Sequence, residues 1–257
     1  MPQTQLIELK NITQNFKIGQ EVVEVIKQCD VAFETNSFNI IYGPSGSGKS
    51  TLLNILSGIQ HPTSGTVTYD GTNIYNYSKS ELAYFRAQRI GVVYQQNYWI
   101  GSLNAVENVA MSLLFSGLHR GEANKRAMEA LEKVGIARLA RKNPQYLSGG
   151  EQQRVAIARA IVTDPDYIIA DEPTGSLDMK NGDQIMALLQ NYQAKLNRTI
   201  ILVTHNLEYL PLAQRLVRVQ DGMCEQLGRD AIRSTAESII VDMRQRMTNI
   251  SRARQTR

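Results

Sequence analysis

Short apolar runs alternate with helix-like stretches along most of the 257-residue chain. Residues 6–12 and 65–71 alternate apolar and polar positions beside turn residues, so we expect a small antiparallel sheet there. Other runs are β-branched and almost continuously apolar, which is typical of parallel strands covered on both faces. These runs cover residues 38–42, 90–94, 166–170 and 199–203. The overall pattern predicts an α/β fold.

The stretch between Gln96 and Asp164 lacks strand signals. Residues 122–134 and 150–162 show apolar positions at helical spacing instead. We therefore expect a helical subdomain inserted into the α/β core over about residues 96–164.

A glycine-rich segment, Gly-Pro-Ser-Gly-Ser-Gly-Lys-Ser-Thr, occupies residues 43–51 between a predicted strand and a predicted helix. That setting is the one in which backbone N–H groups and a helix N-terminus surround phosphate oxygens. Lys49 is expected to reach the β- and γ-phosphates, and Ser50 to offer its hydroxyl to Mg²⁺. The predicted nucleotide-binding residues of this loop are Gly43, Pro44, Ser45, Gly46, Ser47, Gly48, Lys49, Ser50 and Thr51.

Two carboxylates, Asp171 and Glu172, follow four apolar residues at the end of a predicted buried strand. Phosphoryl transfer to water needs a held metal ion and an oriented water molecule. We expect Asp171 to hold Mg²⁺ through a water molecule bound to the ion, opposite Ser50. Glu172 is expected to act as general base or to position the water. The alternative for such a pair is a solvated loop.

Residues 147–154 read Leu-Ser-Gly-Gly-Glu-Gln-Gln-Arg and resemble the signature sequence of the ATP-binding-cassette (ABC) ATPases. Further motifs of that family occur in its order at Gln95 and at residues 167–172, 176–178 and 203–205. The resemblance covers roughly residues 5–228. It implies a P-loop NTPase core with a small antiparallel β subdomain and an inserted helical subdomain. We assign residues 1–230 to this ATPase domain.

The resemblance also implies roles for single residues. Gln95 would contact both the metal ion and the attacking water, and would open a loop that faces a membrane partner. His205 would contact the γ-phosphate of ATP, although a lone histidine is more often structural. Phe16 is the candidate for stacking on adenine, where many relatives carry tyrosine, although a core role is also open.

The position of the signature poses a geometric problem. The phosphate loop of the same chain already encloses the triphosphate on its own side of the nucleotide site. Ser148, Gly149 and Gly150 are expected to open a helix and to form an anion site. By resemblance, this site completes the nucleotide site of a second copy in a head-to-tail dimer with two ATP molecules. Asp178 would then lie at the dimer seam. An ordinary capped helix is the alternative, but it leaves the two glycines unexplained.

Within the family, residues 90–95 and 169–178 most resemble the branch of lipoprotein-release, macrolide-efflux, peptide-export and cell-division ATPases. This branch implies ATP hydrolysis coupled to an integral membrane permease, with the chain peripheral at the cytoplasmic face. One departure is Gly101, where many relatives have proline. Trp99 nearby is either a docking anchor or a core residue. The alternative functions are a cell-division-type regulatory ATPase without transport and a soluble ABC protein acting on ribosomes or DNA.

Charge and cysteine content add further expectations. Residues 231–257 hold six arginines and two acidic residues, which accounts for the whole net charge of +4. The neutral remainder gives no sign of a nucleic-acid partner. No apolar run approaches the roughly 18 residues that span a bilayer, so we expect a soluble chain. Cys29 and Cys224 are expected to be reduced packing residues.

The basic tail, residues 231–257, has apolar residues three and four positions apart up to residue 250. This spacing predicts a helix with one apolar face. Three interpretations stay open: docking in a partner groove, lying on an anionic membrane surface, or packing back on the ATPase domain.

Overall fold

The computed structural model describes residues 6–227, so the predicted basic tail lies outside the described residues. Short 3-10 turns connect several of the elements. The strands are β1 (Leu6–Ile18), β2 (Glu21–Glu34), β3 (Phe38–Tyr42), β4 (Ser64–Tyr69), β5 (Thr72–Asn73), β6 (Ile90–Val93), β7 (Tyr167–Asp171), β8 (Thr199–Thr204), β9 (Arg215–Gln220) and β10 (Met223–Leu227). The α-helices are α1 (Lys49–Leu56), α2 (Lys79–Arg89), α3 (Ala105–Phe115), α4 (Arg120–Lys133), α5 (Gly149–Ile161) and α6 (Met179–Leu196).

The strands form one curled sheet in the order β5-β4-β1-β2-β10-β9-β3-β8-β7-β6. Strands β9, β3, β8, β7 and β6 run parallel, whereas β1, β2, β4 and β5 pair antiparallel. The predicted α/β class, the four buried parallel strands and the antiparallel pair β1 and β4 are therefore confirmed. All five residues of β3 and all five of β7 are buried, as continuously apolar strands require.

Strand β1 extends six residues beyond the predicted segment, to Ile18. Its pairing with β2 shifts register between Leu9 and Ile12, where Asn11 has a φ of +53°. A bulge of this kind interrupts the strict alternation that predicts a strand. The continuation of β1 therefore depends on its partner β2 rather than on its own pattern.

Two apolar cores cover the two faces of the parallel sheet. On one face, α1 packs Leu52, Leu53 and Leu56 against residues such as Ile41 and Val203. On the other face, α5 and α6 pack against alternate strand residues, including Ile40, Ile168 and Leu202. Burying an aliphatic side chain of this size contributes about 1.5–3 kcal/mol, so these contacts fix the strand edge that carries the site.

The segment between β6 and β7 contains α3, α4 and α5, without a strand among its residues in the described structure. Helices α4 and α5 lie close to the two helical stretches that the spacing predicts. Helix α3 was not predicted, although Asn104 and Glu107 form a reciprocal capping box at its start. That pattern of Asn followed by Glu three residues later is a sequence signal for a helix start.

Cys29 and Cys224 are joined in a disulfide, with their Cα atoms 4.9 Å apart. The expectation of two reduced thiols is therefore wrong for this structure. The two residues are 195 positions apart in sequence, and only the pairing of β10 with β2 brings them together. Nothing in the local sequence of either cysteine indicates its partner. Within residues 6–227, none of the helices combines the length and apolar character that crossing a membrane requires.

Candidate nucleotide-binding site

The carboxyl ends of four neighbouring strands meet at one edge of the sheet. Tyr42 at the end of β3 is in register with Thr204 of β8, and Val203 of β8 is in register with Asp171 of β7. Val93 at the end of β6 pairs with Ala170. Because the strands are parallel, the segments that follow them emerge side by side. The phosphate loop, His205, Glu172 and Gln95 therefore follow the same edge.

Close packing and backbone conformation explain the glycines of the phosphate loop. A Cβ atom at Gly43 would lie 2.0 Å from the Val219 carbonyl oxygen, and one at Gly48 would lie 2.7 Å from Ile26 Cδ1. Gly46 has open space around it but a φ of +78°, which a residue with a side chain rarely adopts. The loop therefore brings its backbone closer to strands β2 and β9 than any larger residue would permit.

Lys49 is the first residue of α1 and is buried. Its Nζ donates to the carbonyl oxygens of Gly43 at 3.0 Å and Pro44 at 2.8 Å. Burial lowers the pKa of Lys49 below its ordinary value, while the charges of Glu172 and Asp171 act in the opposite direction. The ammonium group thus lies inside the loop, with nearby carboxylates favouring its charged form.

Asp171 ends β7 and is buried beside the phosphate loop. The Ser50 hydroxyl donates to its carboxylate, but Asp171 Oδ1 has no hydrogen-bond partner among the described residues. Ser47 Oγ is also buried without a hydrogen-bond partner among the described residues. Burial raises the pKa of Asp171 above its ordinary value, opposed by the Ser50 hydrogen bond and by Lys49. A buried carboxylate oxygen and a hydroxyl are the ligand types that suit Mg²⁺, so this donor set fits that ion.

Glu172 is held in an unusual backbone conformation with a φ of +47°. Its N–H donates to the Val203 carbonyl at 2.9 Å, and its carboxylate Oε1 lies 2.7 Å from His205 Nδ1. The Thr204 hydroxyl lies 3.5 Å from the other carboxylate oxygen. The Glu172 side chain is 9% exposed and that of His205 is 59% exposed, so the pair extends from the buried edge to the surface.

The structure places Gln95 and Phe16 on exposed surface rather than among these buried groups. Gln95 lies two residues after β6. Phe16 lies on β1 in register with Val23 of β2, and 37% of its surface is exposed. Both positions leave the side chain free to meet a ligand that approaches from solvent.

The signature begins α5 with a complete capping box. Ser148 Oγ accepts from the Glu151 N–H at 3.4 Å, and the Ser148 N–H donates to Glu151 Oε2 at 3.0 Å. A Cβ at Gly150 would lie 3.1 Å from Asn181 Oδ1, so this glycine has a reason within the chain. Gly149 is exposed, and a Cβ there would only touch Leu177 at 3.4 Å.

Asp178 caps α6 and is linked to the signature through a shared neighbour. Its Oδ1 accepts from the Asn181 N–H at 2.9 Å, and its Oδ2 accepts from Asn181 Nδ2 at 2.7 Å. Asn181 is the residue that packs against Gly150. Sequence reasoning missed this role of Asn181, and it also missed the contact of Thr204 with Glu172. Thr204 could have been found, because it lies between Val203 and His205 in the last motif.

Comparison with known proteins identifies the family. The family model described as "ABC transporter" matches residues 26–175, which is more than half of the chain. The chain belongs to the ABC transporter family. The predicted P-loop NTPase fold and the prediction of an ABC ATPase are thereby confirmed.

Relatives of this ABC ATPase include proteins from bacteria and archaea. The uncharacterized ABC transporter ATP-binding protein YknY of Bacillus subtilis is 44% identical over 217 residues, covering 84% of this chain and 94% of that protein. The macrolide export ATP-binding/permease protein MacB of Agrobacterium fabrum is 39% identical over 230 residues, covering 90% of this chain but 35% of MacB. The lipoprotein-releasing system ATP-binding protein LolD of Geobacter metallireducens is 40% identical, covering 84% of this chain and 96% of LolD.

The solved structures include the MJ0796 cassette, described as a dimer in a post-hydrolysis state bound to ADP and Pi. This ABC ATPase matches it with a TM-score of 0.81 and 38% identity, covering 87% of this chain and 98% of that chain. The protein named MJ0796 is from Methanocaldococcus jannaschii. The match supports the same cassette fold over nearly all of the described residues.

Proposed function

We propose that this ABC ATPase binds ATP with Mg²⁺ at the phosphate loop, dimerises head-to-tail on ATP and drives a separate integral membrane permease. The observation that carries the proposal is that buried Lys49 and Asp171 are close enough for their charges to interact, and that Asp171 Oδ1 is buried without a partner among the described residues. A buried oxygen atom without a hydrogen-bond partner costs free energy, and proteins retain such an atom where a ligand supplies the missing partner. The cationic Lys49 suits a phosphate group, and the neighbouring carboxylates of Asp171 and Glu172 suit a cation.

The phosphate loop and Lys49 would hold the β- and γ-phosphates, and Asp171, Ser50 and Gln95 would hold the metal ion. Mg²⁺, when bound, supplies positive charge that neutralises phosphate oxygens during phosphoryl transfer. Lys49 would exchange its two carbonyl acceptors for phosphate oxygens. Phe16 would stack on adenine from its exposed position on β1.

Glu172 would take a proton from the attacking water as that water bonds to the γ-phosphorus and ADP leaves. Its carboxylate is fixed from two sides by His205 Nδ1 and by the Thr204 hydroxyl. His205 would also reach the γ-phosphate, because more than half of its side chain is exposed. The products would be ADP and inorganic phosphate.

The second copy would meet the surface formed by Ser148, Gly149 and Asp178. Gly150 is used inside the chain, but Gly149 is exposed and has room for another molecule to approach its backbone. A glycine there lets an anion come close to the helix N-terminus. The dimer reported for MJ0796 supports the same assembly for this chain. We propose a homodimer.

A surface groove of about 330 Å³ is proposed as the docking site of the membrane permease. It lies between α2, β6, α3 and α5, and its walls include Ile59, Tyr94, Phe115 and Arg159. Phe115 is 82% exposed, and so much exposed surface on a phenylalanine is unusual unless another protein covers it. Docking there would place the ATPase at the cytoplasmic face as a peripheral subunit. The export and release functions in the names of MacB and LolD favour export or mechanical work over action on ribosomes or DNA.

The test uses Glu172→Gln and Lys49→Ala, with the exposed Lys10→Ala as the matched control. We expect Glu172→Gln to form dimers loaded with ATP and to turn over about 10²–10⁴-fold more slowly, because a general base contributes about that factor. Lys49→Ala should lose tight nucleotide binding, whereas Lys10→Ala should behave as the parent. A monomer under saturating ATP and Mg²⁺ would count against the dimer, and normal turnover in Lys49→Ala would refute the site.

The membrane partner is tested by purifying tagged Glu172→Gln from gently solubilised native membranes with ATP and Mg²⁺. We expect a polytopic membrane protein to co-purify, and to be lost when Phe115→Ser alters the groove. Ribosomal or chromosomal material without a membrane protein would overturn the transporter proposal and leave the ATPase intact.

A further inference from the structure

The loop that follows Gln95 is attached to the helix that begins at the signature. The indole N–H of Trp99 donates to Gln152 Oε1 at 3.0 Å, and Gln152 Nε2 donates to the Leu147 carbonyl at 3.0 Å. Gln152 lies in the first turn of α5, and Leu147 immediately precedes Ser148. Two hydrogen bonds therefore connect Trp99 to Leu147, the residue immediately before the signature's cap, Ser148.

Arg159 holds the same loop from the other end of α5. Its guanidinium carbon lies 4.8 Å from the centre of the Trp99 ring, and its Nη2 donates to the Asn97 carbonyl at 2.7 Å. Arg159 is partly buried, and burial lowers its pKa below the ordinary value. An indole face and a carbonyl oxygen thus stabilise this cation, and both belong to the loop.

Further contacts complete the attachment on the far side of Trp99. Asn143 Nδ2 donates to the Gly101 carbonyl at 2.6 Å, and a Cβ at Gly101 would lie 3.2 Å from Gln145 Nε2. The buried Asn108 side chain accepts from the Ile100 N–H at 2.9 Å. The loop is therefore held by the segment before the signature, by α5 and by α3 at once.

The indole N–H of Trp99 contributes a hydrogen bond in addition to the packing of the ring. Trp99 is partly buried against the core, so an apolar side chain of similar size would satisfy the packing alone. The hydrogen bond to Gln152 also orients the side-chain amide of Gln152, which in turn donates to the Leu147 carbonyl. A shift of the loop would therefore pull on the first turn of α5.

We propose that Trp99 is a positioning residue that keeps the loop after Gln95 and the amino end of the signature helix in one fixed relation. Ser148 and Gly149 are thereby presented in the orientation that the ATP of a second copy requires. The inference rests on the proposed head-to-tail dimer. Trp99 acts through Gln152 and touches neither the nucleotide of its own chain nor the reacting atoms.

The test is a double-mutant cycle of Trp99→Phe and Gln152→Leu in the Glu172→Gln background. Trp99→Phe keeps a ring under Arg159 and removes the N–H, and Tyr98→Phe on the neighbouring exposed residue is the matched control. Monomer affinity for a fluorescent ATP analogue is measured at low protein concentration, and dimer affinity with ATP by sedimentation. We expect the dimer to weaken about five- to tenfold in either single variant, with monomer ATP affinity unchanged.

The double variant should be no weaker than the weaker single variant, because both changes break one hydrogen-bonded link. Equal dimer affinity in Trp99→Phe and in the Tyr98→Phe control would overturn the inference, as would fully additive effects. Loss of monomer ATP affinity or a lower urea midpoint without a dimer effect would assign Trp99 to packing alone. If the Glu172→Gln parent itself stays monomeric with ATP, the proposed dimer fails first and this inference fails with it.

Discussion

Asp171 is a buried residue whose charge we expect to lower the stability of the free protein. Its carboxylate is buried, and the Ser50 hydrogen bond leaves Oδ1 without a partner among the described residues. A buried charge of this kind is costly unless it is fully paired. The raised pKa of Asp171 expresses that cost, because the folded state disfavours the charged form.

We expect Asp171→Asn to raise the melting temperature of the protein at high pH in EDTA without nucleotide. The folded pKa of Asp171 lies above its unfolded value, so the penalty develops as pH rises above the unfolded pKa and is complete above the folded pKa. The gain from Asp171→Asn should therefore shrink as pH is lowered toward the acid range. Scanning calorimetry across pH measures it.

The matched control for this change is Asp183→Asn, which alters an aspartate of α6 outside the phosphate-loop edge. It should show no comparable gain at high pH. A melting temperature of Asp171→Asn that is below that of the parent at every pH would contradict the assigned burial cost.

At the scale of elements, two adjacent glycines begin the signature helix. One packs inside the chain, and the other faces solvent. Gly150 is buried against Asn181, which also binds the Asp178 cap of α6. Gly149 is exposed with ordinary contact distance to Leu177. The two glycines therefore serve different purposes, although the sequence presents them as one pair.

We expect Gly150→Ala to destabilise the monomer by about 1 kcal/mol, because Asn181 must shift and its capping hydrogen bond weakens. Gly149→Ala should stabilise the monomer by up to about 1 kcal/mol, since alanine favours a helix over glycine. It should nevertheless weaken the ATP-dependent dimer of Glu172→Gln. Urea unfolding and sedimentation measure the two effects. Equal destabilisation by both substitutions would contradict this division.

The helices also show what local sequence can and cannot predict. Helices α4 and α5 have clear apolar spacing, and their boundaries were predicted to within about two residues. Helix α3 is largely apolar, so its buried and exposed sides are not separated by a simple pattern. Only its capping box at Asn104 and Glu107 indicates where it begins.

At the scale of the whole molecule, strands from both ends of the described chain meet beside the phosphate loop. The backbone N–H of Lys27 in β2 donates to the Gly222 carbonyl just before β10, and the disulfide between Cys29 and Cys224 joins the same two strands. Ile26 of β2 also packs against Gly48 of the loop. The cross-link therefore closes a 195-residue span next to the phosphate loop.

We expect reduction of this disulfide to lower the free energy of unfolding by about 2–4 kcal/mol, because the unfolded chain regains the entropy of a long loop. Thiol titration in denaturant should find no free thiol before reduction and two after it. Urea unfolding with and without a reductant measures the stability change, and the Cys29→Ser, Cys224→Ser double variant should not respond to the reductant. Two free thiols in untreated protein would contradict the disulfide.

Patterns along the chain were sufficient to predict the class of fold and a phosphate-binding loop. Continuous apolar runs predicted the buried strands, and the glycine-rich sequence of residues 43–51 predicted a nucleotide site, because both signals depend on neighbours along the chain. The order of motifs from Gln95 to His205 indicated the family for the same reason.

The contacts between distant side chains become visible only in the folded chain. The link of Glu172 to His205, the link of Trp99 to Gln152 and the packing of Gly150 on Asn181 join residues 31 to 53 positions apart. Such contacts depend on strand order and on how helices pack across the sheet. Local pattern carries no information on that order, so these parts of the site emerge only when the chain is folded.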